Sequence, residues 1–124
     1  MAESGNPYGQ YMLGNRHETG FGVPQDYAKA ADWYRKASEQ GYAAAQYSLG
    51  LLYEHNKGVP QSFKKAYFWL NLAASAYSEE KDGHSLRLEV ISARDSVGEH
   101  LTKAELLQLQ KQTAKFLITH PKSY

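Results

Sequence analysis

The chain has 124 residues and a mass of 14.0 kDa, enough for one domain with a buried core. Fourteen basic and 13 acidic residues leave a net charge of +1, which removes the electrostatic case for a nucleic-acid or membrane-surface partner. With no cysteine there is no disulfide framework and no thiolate metal site, and no apolar run approaches the roughly 18 residues that span a bilayer.

Met1 to Pro7 is small and polar and lacks the apolar centre of a signal peptide. As it stands the sequence suits the cytoplasm; an export signal removed upstream would place the protein in the periplasm. From Gly5 onward the chain repeats itself. Shifted by 36 positions, residues 5–37 match residues 41–73 at fourteen places, where chance gives about two. Gly5, Gln10, Tyr11, Leu13-Gly14 and Glu18 fall on Gly41, Gln46, Tyr47, Leu49-Gly50 and Glu54. Gly22-Val23-Pro24-Gln25 falls on Gly58-Val59-Pro60-Gln61, and Trp33 on Trp69.

Each unit reads as a helix A, a turn and a helix B. In unit one, residues 5–40, Pro7 is tolerated in the first turn of helix A and Gly20-Phe21-Gly22-Val23-Pro24 ends it. Asp26 caps helix B, and Gly41 closes it. In unit two, residues 41–82, Ala43 to His55 is helix A and Asn56 to Pro60 the turn. Ser62 takes the capping position of Asp26, and helix B lengthens through Tyr77. Gly14 and Gly50, each costing roughly 1 kcal/mol in mid-helix, imply that a neighbouring helix presses there. Ala30, Ala37, Ala66 and Ala73 form the other side of that seam. A degenerate third pair, residues 83–120, aligns Gly83 with Gly41 and Ile91-Ser92 with Leu49-Gly50. Its last helix opens on a capping box, Thr102-Lys103-Ala104-Glu105, runs to about Leu117 and stops at His120-Pro121. Asp32 and Lys36 become Phe68 and Leu72 in unit two, so that face must be covered by the third pair. The expected fold is one all-α domain: an α-α solenoid of three antiparallel helix pairs, two regular and one a C-terminal cap.

The unit resembles the Sel1-like repeat, a branch of the tetratricopeptide-type helical repeats, of the bacterial type. The resemblance rests on Gly9-Gln10, Leu13-Gly14, Gly20 to Val23, Asp26-Tyr27, Lys29-Ala30, Trp33-Tyr34 and Lys36-Ala37, with a second copy from Ala45-Gln46 to Ala73. Ala93-Arg94-Asp95, Leu101-Thr102 and the Leu/Gln-rich last helix resemble the C-terminal ends of bacterial members. His17 and Asn56 depart from the pattern, which prefers tyrosine and glycine there. The resemblance implies a right-handed solenoid that acts as an adaptor or scaffold in secretion, envelope, signalling or degradation assemblies. One cysteine-rich branch is linked to β-lactam binding and hydrolysis, and the lack of cysteine sets this chain apart from it.

No residue pattern calls for catalysis, a metal or a cofactor. His17, His55, His84, His100 and His120 match no zinc spacing and are expected at the surface or in turns. Glu18 and Glu54 are expected about one repeat apart, at helix ends in water. Gly20-Phe21-Gly22 has neither the preceding strand nor the GK[ST] of a phosphate loop. Among the ten tyrosines, two tryptophans and four phenylalanines, Trp33, Trp69, Tyr27, Phe63 and Tyr53 are expected in the core. Tyr8, Tyr11, Asn15, Tyr47, Leu51 and His55 lie one step round helix A from the packed seam. In a solenoid that face lines the concave surface, and tyrosine suits an interface. These six are the expected binding site, for a partner protein or peptide; glycan or peptidoglycan recognition is the alternative, and hydrolysis a third. An exposed end of the array is a further place where two copies could pair.

Overall fold

Six α-helices fill the described residues, 5–77 and 84–119, of the computed structural model: α1 (Pro7–Thr19), α2 (Tyr27–Glu39), α3 (Ala43–His55), α4 (Phe63–Tyr77), α5 (His84–Gly98) and α6 (Lys103–Thr119). α1, α3 and α5 are the A helices, and α2, α4 and α6 the B helices. No strand occurs among the described residues, and the chain is the all-α repeat solenoid expected.

The helix starts follow from the capping side chains. Asn6 Oδ1 accepts from the amides of Tyr8 and Gly9 at 2.9 and 3.2 Å. Pro7 takes the first helical position, where its missing amide costs nothing. Each B helix opens the same way. Asp26, Ser62 and Thr102 accept from the amide three residues on, those of Lys29, Lys65 and Glu105, all at 3.1 Å. Glu105 Oε1 accepts in turn from the Thr102 amide at 2.9 Å, completing the capping box.

The two regular turns are also built alike. Gly20 (φ +79°) and Asn56 (φ +58°), 36 residues apart, both hold the left-handed conformation that ends an A helix. Gln25 Nε2 donates to the Glu18 carbonyl at 2.7 Å, and Gln61 Nε2 to the Glu54 carbonyl at 2.8 Å. The glutamine of each Gly-Val-Pro-Gln run thus ties the turn back onto the helix it has just left.

The glycine seam is real, and a side chain fills most of it. A Cβ on Gly14 would lie 2.6 Å from the Tyr34 ring, and one on Gly50 2.8 Å from Leu70. The Ala30 and Ala66 carbonyl oxygens stand behind at 3.2 and 3.3 Å. Tyr34 and Leu70, themselves 36 apart, are both wholly buried.

Helices pack in chain order as far as α5, and α6 then departs from the pattern. It docks on α4 rather than chiefly on α5. Phe116 of α6 meets Phe68 and Trp69 edge-on at 5.9 and 5.8 Å. Leu72 is buried and Phe68 half-buried, the cover that those apolar residues require. Asn71 links the three helices, accepting from Arg94 Nη1 at 3.1 Å and donating to Thr113 Oγ1 at 3.3 Å.

Some expectations need correcting. Trp33 is not a core residue: it is half-exposed, with Lys36 Nζ 4.4 Å from its ring. Its counterpart Trp69 is buried beneath Phe116, and among the described residues nothing equivalent to α6 covers α2. Glu18 is not a solvated helix-end carboxylate, since its Oε1 accepts from the Tyr34 hydroxyl at 2.5 Å. Glu54 keeps only 20% of its side chain exposed. Tyr53 is buried as expected, whereas Tyr27 and Phe63 pack half-buried against the core. α4 is two residues longer than α2, 15 against 13, and reaches Tyr77; Gly83 and His120-Pro121 lie outside the described residues.

Candidate functional site

The A helices carry all six residues expected to bind. Tyr8, in the first turn of α1, is 58% exposed and meets Tyr42 edge-on at 6.3 Å. Tyr11 lies one turn further and is half-buried, its ring 5.7 Å from Tyr34 and 5.5 Å from Tyr42. Asn15 is half-buried, and with Met12, Arg16, Thr19, Gly20 and Phe21 it lines a groove of 560 Å³ at the open edge of unit one.

On α3, Tyr47 and Leu51 are half-buried and His55 is exposed, its Nε2 3.7 Å from Glu54 Oε1. Burial, with Glu89 and then Glu54 nearby, pushes the Tyr47 hydroxyl above the ordinary tyrosine range. The structure gathers Tyr8 and Tyr11 around Tyr42, and Tyr47 and His55 around Glu54. Tyr42 carries no periodic signal: it falls in the α2–α3 loop, opposite Asn6 in the 36-residue register.

A second concavity, of 430 Å³, lies between α4 and α6. Phe68, Ala104 and Leu109 line its apolar part and Lys64, Lys65, Glu105 and Gln112 its polar part. Lys64 Nζ and Glu105 Oε2 pair at 3.2 Å. The Thr102 amide, with Lys64 beside it, holds the Glu105 carboxyl below the usual range. Phe68 and Leu72 announced that α4 would be covered, but not the groove beside that cover, because α6 reaches α4 by leaving the register of the repeats.

Glu18 on α1 accepts from the hydroxyl of the wholly buried Tyr34 on α2. Burial first, and then the Glu18 hydrogen bond and charge, push the Tyr34 hydroxyl far above its ordinary value. A phenol held neutral and fully enclosed works as a strut between α1 and α2. Among the described residues no group of three or more histidines, aspartates or glutamates could hold a metal ion, and no helix is long and apolar enough to cross a membrane.

The Sel1 repeat family model matches residues 7–42 and 43–78, each match starting two residues after the unit that the self-comparison places there. No curated protein matches the chain. Among solved structures, it is similar to a protective antigen present in uropathogenic Escherichia coli strains that displays an SLR fold. That match has 28% identity and a TM-score of 0.79, over 96% of this chain and 24% of the other. A Sel1 repeat protein from Oxalobacter formigenes matches with 38% identity and a TM-score of 0.60, over 72% of this chain and 25% of the other. The chain thus spans about a quarter of the length of these two structures. Sel1 repeats are generally protein-interaction modules and typically non-enzymatic. With both 36-residue units matched, over more than half of its length, the chain belongs to the Sel1 repeat family.

Proposed function

We propose that the chain is a non-enzymatic adaptor or scaffold module that binds a partner protein or peptide along its A-helix face, the concave side of the solenoid. The carrying observation is the in-register pair Tyr11 and Tyr47, each braced on the core yet still half-open to solvent. Half-buried tyrosine is preorganised: its ring offers area and its hydroxyl a hydrogen bond, with little side-chain freedom left to lose on binding. Tyr8, Asn15, Leu51 and His55 extend the same face along α1 and α3. The work of such a site is recognition by shape and aromatic anchors, with no chemical step.

Affinity capture from the native host's lysate tests this reading, comparing the wild type with Tyr11→Ala/Tyr47→Ala and with the exposed pair Tyr8→Ala/His55→Ala. The expected result is a protein that the wild type recovers and both variants lose, while their helicity by circular dichroism is kept. A protein recovered equally by all three overturns the assigned face. Release by soluble glycan moves the site to sugar recognition.

A further inference from the structure

The B helices use one set of positions to receive the next A helix. Counted from the cap, they are the first, fifth, ninth and twelfth helical residues. In α2 these are Tyr27, Ala31, Arg35 and Ser38. Lys57 Nζ stands 5.3 Å from the Tyr27 ring, Arg35 Nη2 donates to the Tyr53 hydroxyl at 3.3 Å, and Gln46 Nε2 donates to the Ser38 carbonyl at 3.1 Å. In α4 they are Phe63, Tyr67, Asn71 and Ala74. His100 stacks on Phe63 at 4.1 Å, Gly98 lies against the Tyr67 ring, and Arg94 donates to Asn71. Ala31 and Ala74 are buried beneath these contacts.

In α6 the same positions are Lys103, Leu107, Lys111 and Ala114, and all four are exposed. Ile118, one helical turn further on the same face, is 79% exposed, and Leu107 is 55% exposed. α6 turns Leu109, Thr113 and Phe116 toward α4, so this stripe lies on its far side. Neither Lys103 nor Lys111 forms an ion pair among the described residues. The geometry that seats an A helix is thus repeated a third time, with an apolar centre and cations where α2 has Tyr27 and Arg35.

We propose that this face of α6 docks an antiparallel A-type helix of a partner protein, apolar along its centre and bearing carboxylates where it meets Lys103 and Lys111. The internal interfaces set the spacing. The residues that meet the first and ninth positions are Lys57 just after α3 and Tyr53 on it, and His100 just after α5 and Arg94 on it. The two carboxylates therefore stand about four to six residues apart, the later one beside the positive N-terminal end of α6. This surface is separate from the A-helix face and does not depend on it.

The probe is a synthetic peptide of residues 84–101, the segment that occupies this face of α4, carrying Arg94→Glu and His100→Glu. Its partner peptide keeps the original sequence. Isothermal titration against the full chain should show the acidic peptide binding about tenfold more tightly, the effect of two exposed charge pairs changing sign. Lys103→Glu/Lys111→Glu should invert that preference, and Leu107→Glu should abolish binding of both peptides; all these positions are exposed, and circular dichroism checks that helicity is retained. Equal binding, binding by neither peptide, or a preference that survives the charge inversion overturns the proposal. Concentration-dependent dimerisation lost in Leu107→Glu puts a second copy on this face instead and overturns the assigned partner.

Discussion

Units one and two share fourteen identities, yet they hold their helices together by different means. Beneath Gly14 lies Tyr34, its hydroxyl bound to Glu18; beneath Gly50 lies Leu70, with nothing to satisfy. α2 buries five residues and α4 nine, because α2 is packed between α1 and α3 whereas α4 carries α3, α5 and α6. The repeat dictates where backbones approach, and the neighbours decide which side chains are tolerable there. At the edge of the stack a polar strut serves; in the middle an aliphatic side chain does.

The turns give the sharpest way to test that difference. Gly22 and Gly58 have nearly the same backbone, φ +79° and +74°. A side chain at either costs about 1–2 kcal/mol for the left-handed conformation alone. A Cβ on Gly22 meets nothing within 4 Å, whereas one on Gly58 would lie 2.3 Å from the Tyr27 carbonyl carbon. Forcing the α2–α3 junction apart adds about 1–3 kcal/mol. Gly58→Ala should therefore cost about 2–5 kcal/mol and Gly22→Ala about 1–2 kcal/mol in urea denaturation. Equal losses would mean that the unit-two turn is not pinned by α2.

A smaller effect is expected from Tyr34→Phe. The ring still fills the space beneath Gly14, but Glu18 loses its donor. Hydrogen bonds to charged groups contribute about 1.5–3 kcal/mol, and a half-buried carboxylate that can partly rehydrate should lose about 1–2 kcal/mol. The pH dependence supplies the signature. Folding raises the Tyr34 pKa, so its contribution is whole below the ordinary tyrosine value and is lost as pH rises through the folded value. Alkaline destabilisation should accordingly be weaker in Tyr34→Phe than in the wild type, and the same slope in both would remove the strut from the account.

The contrast between units also marks what could be read without coordinates. The 36-residue register, the caps at Asp26, Ser62 and Thr102 and the glycine seam are local or periodic, and each is legible from residue type and spacing. The exposure of Trp33 is not, because it depends on α2 lacking the cover that Phe116 gives Trp69. The Glu18–Tyr34 bond joins positions 16 apart in the one unit that has a tyrosine there, so no periodic signal announces it. Of the candidate site, the spacing sufficed to place Tyr8, Tyr11, Asn15, Tyr47, Leu51 and His55 on the A helices. Tyr42, whose ring meets Tyr8 and Tyr11, stands opposite Asn6 in the register and so has no aromatic counterpart there. Cover over Phe68 and Leu72 was expected from the third pair, but the α4–α6 groove required knowing that α6 leaves the register.

The smallest expected effect tests whether α6 is held by charge as well as by packing. Glu105 accepts from the Thr102 amide and pairs with Lys64 on α4, the only ion pair described between those helices. Its folded pKa is depressed, so this contribution is present above the ordinary glutamate value and is lost as pH falls through the folded value. Glutamine at 105 keeps an acceptor for the capping box and removes the attraction to Lys64. Glu105→Gln should thus lower Tm slightly at neutral pH and low salt, and the gap should close both on acidification and on raising salt to 1 M, where the screening length is about 3 Å. A gap that persists under both conditions would assign the loss to the cap itself, and would leave Phe116, Phe68 and the Asn71 hydrogen bonds as what holds α6 on unit two.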